Sequence, residues 1–378
     1  MIDLAELLRT APVFDGHNDL AWQIREKFEL DPAAAGLAAG QPALHTDVAR
    51  MRAGGLGAQF WSVFVPSSWE PSVAATATFE QIDIVRRLVR THPDVLAWTP
   101  TAADVRTAFA EGRIASLLGA EGGQSIAGSL GVLRELRRAG LAYMTLTHND
   151  NTPWAASATG IPVEHGLTDF GRDVVREMNR IGVLVDLSHV HERTMHDALD
   201  IVTRPAIFSH SSARAVTDVP RNVPDGVLER LRGNGGVLMV TFVPAFVNQA
   251  CADHRAAVAA EQARLGLTGA LYEPEGSDAA VAEFCTWLEA NPRPTATVAD
   301  VADHLDHARE VVGPQHLGLG GDYDGVDALP LGLEDVSGYP ELLRELDRRG
   351  WSAGELAALT SGNVLRVLER AQDGTAVD

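Results

Sequence analysis

Asp15-Gly16-His17-Asn18-Asp19-Leu20 sets an imidazole and a carboxylate two positions apart, directly behind the apolar pair Val13-Phe14. Strand side chains alternate with period two, so His17 and Asp19 are expected on one side of the backbone. Converging in that way, they make half of a divalent-metal site. The plainer alternative is a polar strand end that satisfies its own hydrogen bonds. Five further apolar runs end in the same residue types: Glu121 follows residues 114–120, His148 follows 142–147, His189 follows 183–187, His210 follows 206–208 and Asp322 follows 317–321. Two histidine–carboxylate sets around one mouth suggest two zinc ions bridged by a carboxylate and a hydroxide. Lys27 is the only lysine in the chain and so the only candidate for a carbamylated bridge, but it sits in the charged stretch Arg25-Glu26-Lys27-Phe28-Glu29, away from any strand end. Glu121 is therefore the expected bridge, and Gly122 and Gly123 are expected to leave room for close approach of the metals.

The remaining histidines act as a control. His45, His92, His165, His196, His254, His304, His307 and His316 fall in loops or helical patterns and receive no role. His191 shares parity with His189, yet it reads better as the residue that opens the next helix.

These residues need a scaffold that brings strand ends together. Eight apolar runs recur, at residues 13–14, 58–65, 114–120, 142–147, 183–187, 206–208, 236–243 and 317–321. Between them the spacing is helical, as in Phe79-Ile82-Val85-Leu88-Val89 and Phe170-Val174-Val175-Met178. Nearly continuous apolar strands alternating with amphipathic helices predict a parallel sheet covered on its outer face. Eight such units predict an α/β fold, a (β/α)8 TIM-type barrel, whose strand ends share one mouth. The expected organisation is one metal-dependent hydrolase barrel domain over residues 1–378. A helical insertion at 245–296, between the seventh and eighth strands, is expected over the C-terminal face. Residues 31–41 read as an Ala/Gly-rich loop.

Composition narrows the function. A hydrophobic content of 46% supplies a core, and no stretch approaches the apolar length of a membrane span. A formal charge of −20 argues against nucleic acid as a partner, because phosphate binding needs a basic face. Without a Gly-Lys-Ser/Thr sequence there is no P-loop. Acidic residues in Met1-Ile2-Asp3-Leu4-Ala5-Glu6 stand where a signal peptide would carry positive charge, so the expected location is cytoplasmic, off the membrane. Cys251 and Cys285 are too few for a cysteine-type zinc site; free thiols are the default, and their pairing is left open.

Taken together, the motifs resemble the renal-type membrane dipeptidases, a binuclear zinc branch of the amidohydrolase superfamily. The resemblance runs from Phe14 to Asn363. It rests on Asp15-Gly16-His17-Asn18-Asp19, Glu121-Gly122-Gly123, Leu146-Thr147-His148-Asn149, Asp186-Leu187-Ser188-His189, Phe208-Ser209-His210-Ser211, Arg221-Asn222-Val223-Pro224-Asp225 and Gly320-Gly321-Asp322-Tyr323-Asp324-Gly325. It implies that His17 and Asp19 hold one Zn2+, that His189 and His210 hold a second, and that Glu121 bridges the two. It also implies that His148 faces the scissile carbonyl, Asp322 handles the proton, Arg221 receives the substrate's terminal carboxylate, and the protein is a homodimer. The implied activity is hydrolysis of dipeptides, including L-Xaa-D-Xaa. Competing readings are an N-acyl-D-amino-acid deacylase, a β-lactam hydrolase, or a barrel that binds peptide or metal without turnover. The chain departs from secreted relatives at Asp150, where a disulfide cysteine is expected, and in its polar C-terminus, residues 374–378; with the bias of arginine over lysine, this leads to the expectation of a bacterial cytoplasmic member.

Overall fold

The computed structural model describes residues 2–375; Met1 and the end of the polar 374–378 stretch lie outside the described residues. Its strands are β1 (Val13–Asn18), β2 (Leu56–Ser62), β3 (Leu96–Trp98), β4 (Ile114–Glu121), β5 (Leu141–Thr145), β6 (Leu184–Asp186), β7 (Ile207–Ser211), β8 (Val237–Val240), β9 (Thr268–Ala270), β10 (Glu273–Glu275) and β11 (Leu317–Leu319). All strands except β3, β9 and β10 form a closed parallel barrel. Its order is β1, β2, β4, β5, β6, β7, β8 and β11, with β11 returning to β1. Helices connect successive strands and cover the outside, which is the (β/α)8 architecture expected from the eight apolar runs.

Alternation along the strands sorts the two cores. Phe14, Phe60, Leu117, Tyr143, Val237 and Met239 fill the barrel interior. At the N-terminal ends of the strands, Val364, Leu365 and Leu368 of the last helix join the same cluster. Residues of opposite parity, such as Leu118, Ala120, Leu238, Val240 and Leu319, meet Val85, Leu133, Val174 and Leu343 of the surrounding helices. Phe79, counted above with the buried face of the helix Pro71–Thr91, is instead exposed.

Register shifts occur in several strand pairs, and two of them lie beside the metal-type residues. Between Asp15 and Asn18, three steps along β1 are matched by two along β2, from Gln59 to Trp61. Between Phe208 and Ser211, three steps along β7 are matched by two along β8, from Leu238 to Val240. Each extra residue is a bulge, which re-aims the side chains beside it. Glycine makes the close approaches that accompany them. A Cβ on Gly16 would lie 2.3 Å from the Ser209 carbonyl oxygen, and one on Gly320 would lie 1.9 Å from the same atom. Gly119 does the same for Tyr143, whose ring lies where a Cβ would stand.

Two features escape the plain repeat. The strand β3 pairs with the start of β4 (Leu96↔Ile114 to Trp98↔Ser116), while β5 pairs with its end from Leu118 onward. The insertion after β8 holds the helices Pro244–Val247, Gln249–Leu265 and Asp278–Ala290, but also the exposed antiparallel hairpin β9–β10. Val258, Leu267 and Phe284 give it a small core of its own. Cys251 is buried, Cys285 is exposed, and both are free thiols.

His304, left without a role by its helical context, ties three segments together. Its Nδ1 accepts the Ala213 N–H at 3.0 Å, which leaves Nε2 to carry the proton, 3.2 Å from the Val247 carbonyl. Burial holds its pKa down at about 4. The unfolded chain therefore takes up this proton near pH 6.5, whereas the folded chain resists until about pH 4. The resulting stability is complete above pH 6.5 and is lost as the pH falls toward 4. We expect the stability gap between the wild type and His304→Gln to shrink by about 3 kcal/mol between pH 7 and pH 4, measured by urea unfolding. A gap independent of pH would contradict this.

Candidate metal centre

Glu121 stands at the end of β4, buried at the centre of the mouth. Its two oxygens face different partners. Oε2 lies 3.5 Å from His17 Nε2 and accepts the Ser62 hydroxyl at 3.3 Å. Oε1 lies 3.1 Å from His189 Nε2, 3.5 Å from His210 Nε2 and 3.8 Å from His148 Nε2. His17 Nε2 is 3.2 Å from Asp19 Oδ2, and the Nε2 atoms of His189 and His210 are 2.9 Å apart. Potential ligand atoms fall into three groups, each within 4.8 Å: His17 with Glu121 and His210, Glu121 with His148 and His189, and His17 with Asp19 and Asp322. All seven strand-end residues picked out in the sequence thus converge on one place.

His17 and Asp19 do converge, though not through strand alternation. Asp19 already lies beyond β1 as the N-cap of the helix Leu20–Lys27, and its carboxylate makes no cap hydrogen bond. His17 turns inward because of the bulge. His189 and Asp322 hold left-handed backbone, with φ of 67° and 61°. Such strain in non-glycine residues persists only where the surroundings impose it. Gly122 and Gly123 do not serve the metals as expected. A Cβ on Gly123 would strike the Trp154 ring at 2.3 Å, and one on Gly122, at φ 107°, would strike the Gln124 side chain. Lys27 Nζ is exposed and donates to the Ala43 carbonyl, far from any bridging role. His191 caps the helix Glu192–Leu199, accepting the Arg193 N–H on Nδ1.

Each half of the cluster is held by a buried aspartate that carried no role in the sequence reading. Asp15 Oδ1 accepts the His17 N–H (2.9 Å) and Gln59 Nε2 (2.7 Å), while Oδ2 accepts the Gly321 N–H (2.7 Å) and the Tyr339 hydroxyl (2.8 Å). Asp186 Oδ1 accepts the Ser188 and Ser209 N–H groups at 3.1 and 2.9 Å, and Oδ2 accepts the Thr145 and Ser209 hydroxyls, both at 2.6 Å. Because the Ser209 hydroxyl donates to Asp186, it accepts from His210 Nδ1 at 2.8 Å, leaving His210 Nε2 with a lone pair. Tyr143 acts likewise on His17: its hydroxyl donates to the Gly16 carbonyl (3.1 Å) and accepts from His17 Nδ1 (2.8 Å). Hydrogen bonds on the far nitrogen fix the ligating tautomer.

The electrostatics call for a cation. Burial, reinforced by Arg221 and the neighbouring histidines, drives His189 and His210 well below the ordinary imidazole pKa, so both are neutral. Against the burial that opposes charge, His17 and His148 hold Glu121 well below the carboxylate range. His17 Nε2 and Asp19 Oδ1 are buried without a hydrogen-bond partner, and against burial Tyr143, Glu121 and Asp19 draw His17 well above the ordinary imidazole pKa, so positive charge is favoured at this point. Neutral imidazoles and carboxylates around a point that favours positive charge fit a divalent metal. Asp322 is pushed up to about 7 by burial, with Asp19 and Glu121 adding to the rise while His17 and Arg221 oppose it. Arg221 is also buried. Its Nη1 and Nη2 reach Ser211 Oγ and the His210 carbonyl at 3.3 Å, and it lies over the Phe246 ring. Its Nε has no partner, and no carboxylate among the described residues pairs with it within 4.0 Å.

A barrel whose strand ends gather this set over an open cavity is the arrangement of a metal-dependent hydrolase. The family model for membrane dipeptidases (peptidase family M19) matches residues 2–377, and the chain belongs to that family of metallo-dipeptidases. It is 40% identical over 376 residues to an uncharacterised dipeptidase of Schizosaccharomyces pombe, covering 96% of this chain and 81% of the relative. Among solved structures, a family M19 dipeptidase matches with a TM-score of 0.80 at 25% identity, over 96% of this chain and 99% of its own. The probable dipeptidase PvdM of Pseudomonas aeruginosa matches with a TM-score of 0.82 at 22% identity, over 97% of each chain. A Rhodobacter sphaeroides metallopeptidase, liganded with a phosphinate mimic of L-Ala-D-Ala, matches with a TM-score of 0.79 at 24% identity, over 95% of this chain and 99% of its own. No helix among the described residues is long and apolar enough to cross a membrane.

Asp186 presents one oxygen to two N–H groups and the other to two hydroxyls, so an amide nitrogen in either place meets donors. Asp186→Asn is expected to weaken metal retention about 10- to 100-fold, read by competition with a chelator. Unchanged retention would show that the strut does not hold the ligands.

Proposed function

We propose that this protein hydrolyses dipeptides, including those with a D-residue at the C-terminus, with two zinc ions. His17 and Asp19 hold one, His189 and His210 hold the other, and Glu121 lies between. The observation that carries this reading is the division of the Glu121 carboxylate, with Oε2 toward His17 and Oε1 toward His189 and His210. When bound, the ions would supply Lewis acidity and would make water easier to deprotonate at neutral pH, since metal binding lowers the pKa of water toward about 7.

The chain's own residues do the rest. Arg221, buried and lacking a carboxylate partner, takes the terminal carboxylate of the substrate and so fixes which peptide bond reaches the centre. His148 lies at the mouth with its Nε2 toward Glu121, placed to steady the carbonyl oxygen as charge develops. Asp322 accepts the proton of the attacking water and returns it to the leaving amine, a task that suits a buried carboxylate grouped with His17 and Asp19 at the mouth. The D-residue reading draws support from the dipeptide mimic bound by the R. sphaeroides metallopeptidase. The resemblance of the sequence motifs supports the homodimer, and the composition supports a cytoplasmic location.

The test is a panel of L,L-, L,D- and D,L-dipeptides with the zinc-loaded protein, read by product detection. Turnover of L,L and L,D members is expected; failure on the whole panel would reject the reading. Asp322→Asn is expected to keep both metals and lose about 10²- to 10⁴-fold in turnover. Loss of metal in that variant would make Asp322 a ligand instead.

A further inference from the structure

The cavity over the cluster measures about 310 Å³, at the small end for ligand sites, and two guanidinium groups line it, Arg221 and Arg255. Arg221 is buried at its floor. Arg255 comes from the insertion, on the helix Gln249–Leu265, and is exposed. It makes no hydrogen bond and no ion pair within 4.0 Å with any described residue. Its neighbour Arg293 contrasts with it. Arg293 clasps Asp327 through two contacts, at 2.9 and 3.3 Å, and stacks over Tyr272. Asp327, whose charge Arg255 also favours at longer range, is therefore already engaged by Arg293, and Arg255 lines the cavity without a hydrogen-bond partner of its own among the described residues.

We propose that Arg255 is a specificity residue for an acidic side chain, so that the preferred substrate is a dipeptide ending in aspartate or glutamate. This rests on the dipeptidase reading above. The segment after β8 supplies Val243 to the lining and the insertion supplies Phe246 and Arg255, and Phe246 is the ring that Arg221 lies against. The residue whose α-carboxylate sits on Arg221 thus has its side chain beside the same segment. A planar guanidinium with free donors matches a carboxylate at that point. Asp19, Asp322 and Asp324 line the cavity from the segments that follow β1 and β11, so the cationic wall is the insertion side. At the scale of the whole protein a net charge of −20 repels an acidic substrate, which makes a local cation the source of any such preference.

The test compares kcat/KM of the zinc-loaded protein for Ala-Glu and Ala-Asp with Ala-Gln, Ala-Asn and Ala-Ala, in both configurations of the second residue. Acidic substrates are expected to exceed their amide counterparts by about tenfold, chiefly through KM, because a side-chain contact is made equally in the ground and transition states. In Arg255→Gln the ratio should fall toward one, and in Arg255→Glu it should turn in favour of Ala-Lys. Turnover of Ala-Ala with a Glu/Gln ratio of one in the wild type overturns this inference and leaves the dipeptidase reading standing. So does a ratio unchanged in Arg255→Gln. Absence of turnover on every dipeptide removes both.

Discussion

In an unbroken strand, residues two apart share a face, yet Asp15 turns outward to Tyr339 while His17 turns inward to Tyr143. The site depends on that reversal. The bulge in β1 rotates His17 into the barrel mouth, and the bulge in β7 rotates His210 into it from the other side, until the two rings lie 3.9 Å apart. A bulge gives up regular ladder pairing, and the chain compensates with carboxylates. Asp15 and Asp186 each collect four donors from the strand ends around them, so the irregular backbone is held by charge-assisted hydrogen bonds in a buried setting. Glycines at 16, 119 and 320 then let backbone and rings approach where any side chain would collide.

The insertion and the loop after β11 complete the mouth from above. Phe246 supports Arg221, Arg293 ties the insertion to Asp327, and His304 joins it to the segment after β7. Asp324 is placed by His45, whose N–H donates to Oδ1 at 2.7 Å while its Nδ1 accepts the Asp324 N–H at 2.9 Å. Burial pushes the Asp324 carboxyl up to about 6. Gly325 beside it leaves space for Asp19 Oδ2 and Asp322 Oδ1, each of which a Cβ there would crowd.

The barrel was legible because eight apolar runs alternate with helical spacing, and burial on both faces of a parallel sheet needs such runs. The cluster was legible because its residue types recur at the ends of those runs. What stayed hidden depends on contacts between distant segments. The strand β3 is three residues long and carries no pattern distinct from a helix flank. The hairpin β9–β10 is exposed, so it has no buried face to impose alternation. Neither bulge has a sequence mark beyond its neighbouring glycine or serine. His45 and His304 looked like ordinary loop and helix residues because their partners lie 279 and 91 positions away. Arg255 stands in an alanine-rich helix where nothing local distinguishes it from a solvated arginine.

The two struts share no partner. Asp15 binds groups from β1, β2 and the β11 side, whereas Asp186 binds groups from β5, the turn after β6, and β7. The halves meet at Glu121, which reaches both histidine sets, and where the His17 and His210 rings pack together. The centre is accordingly two units with separate braces, in contact through that carboxylate and those rings. Evolution can therefore vary each brace against its own partners, while any change that shifts His17 or His210 is felt by the other half.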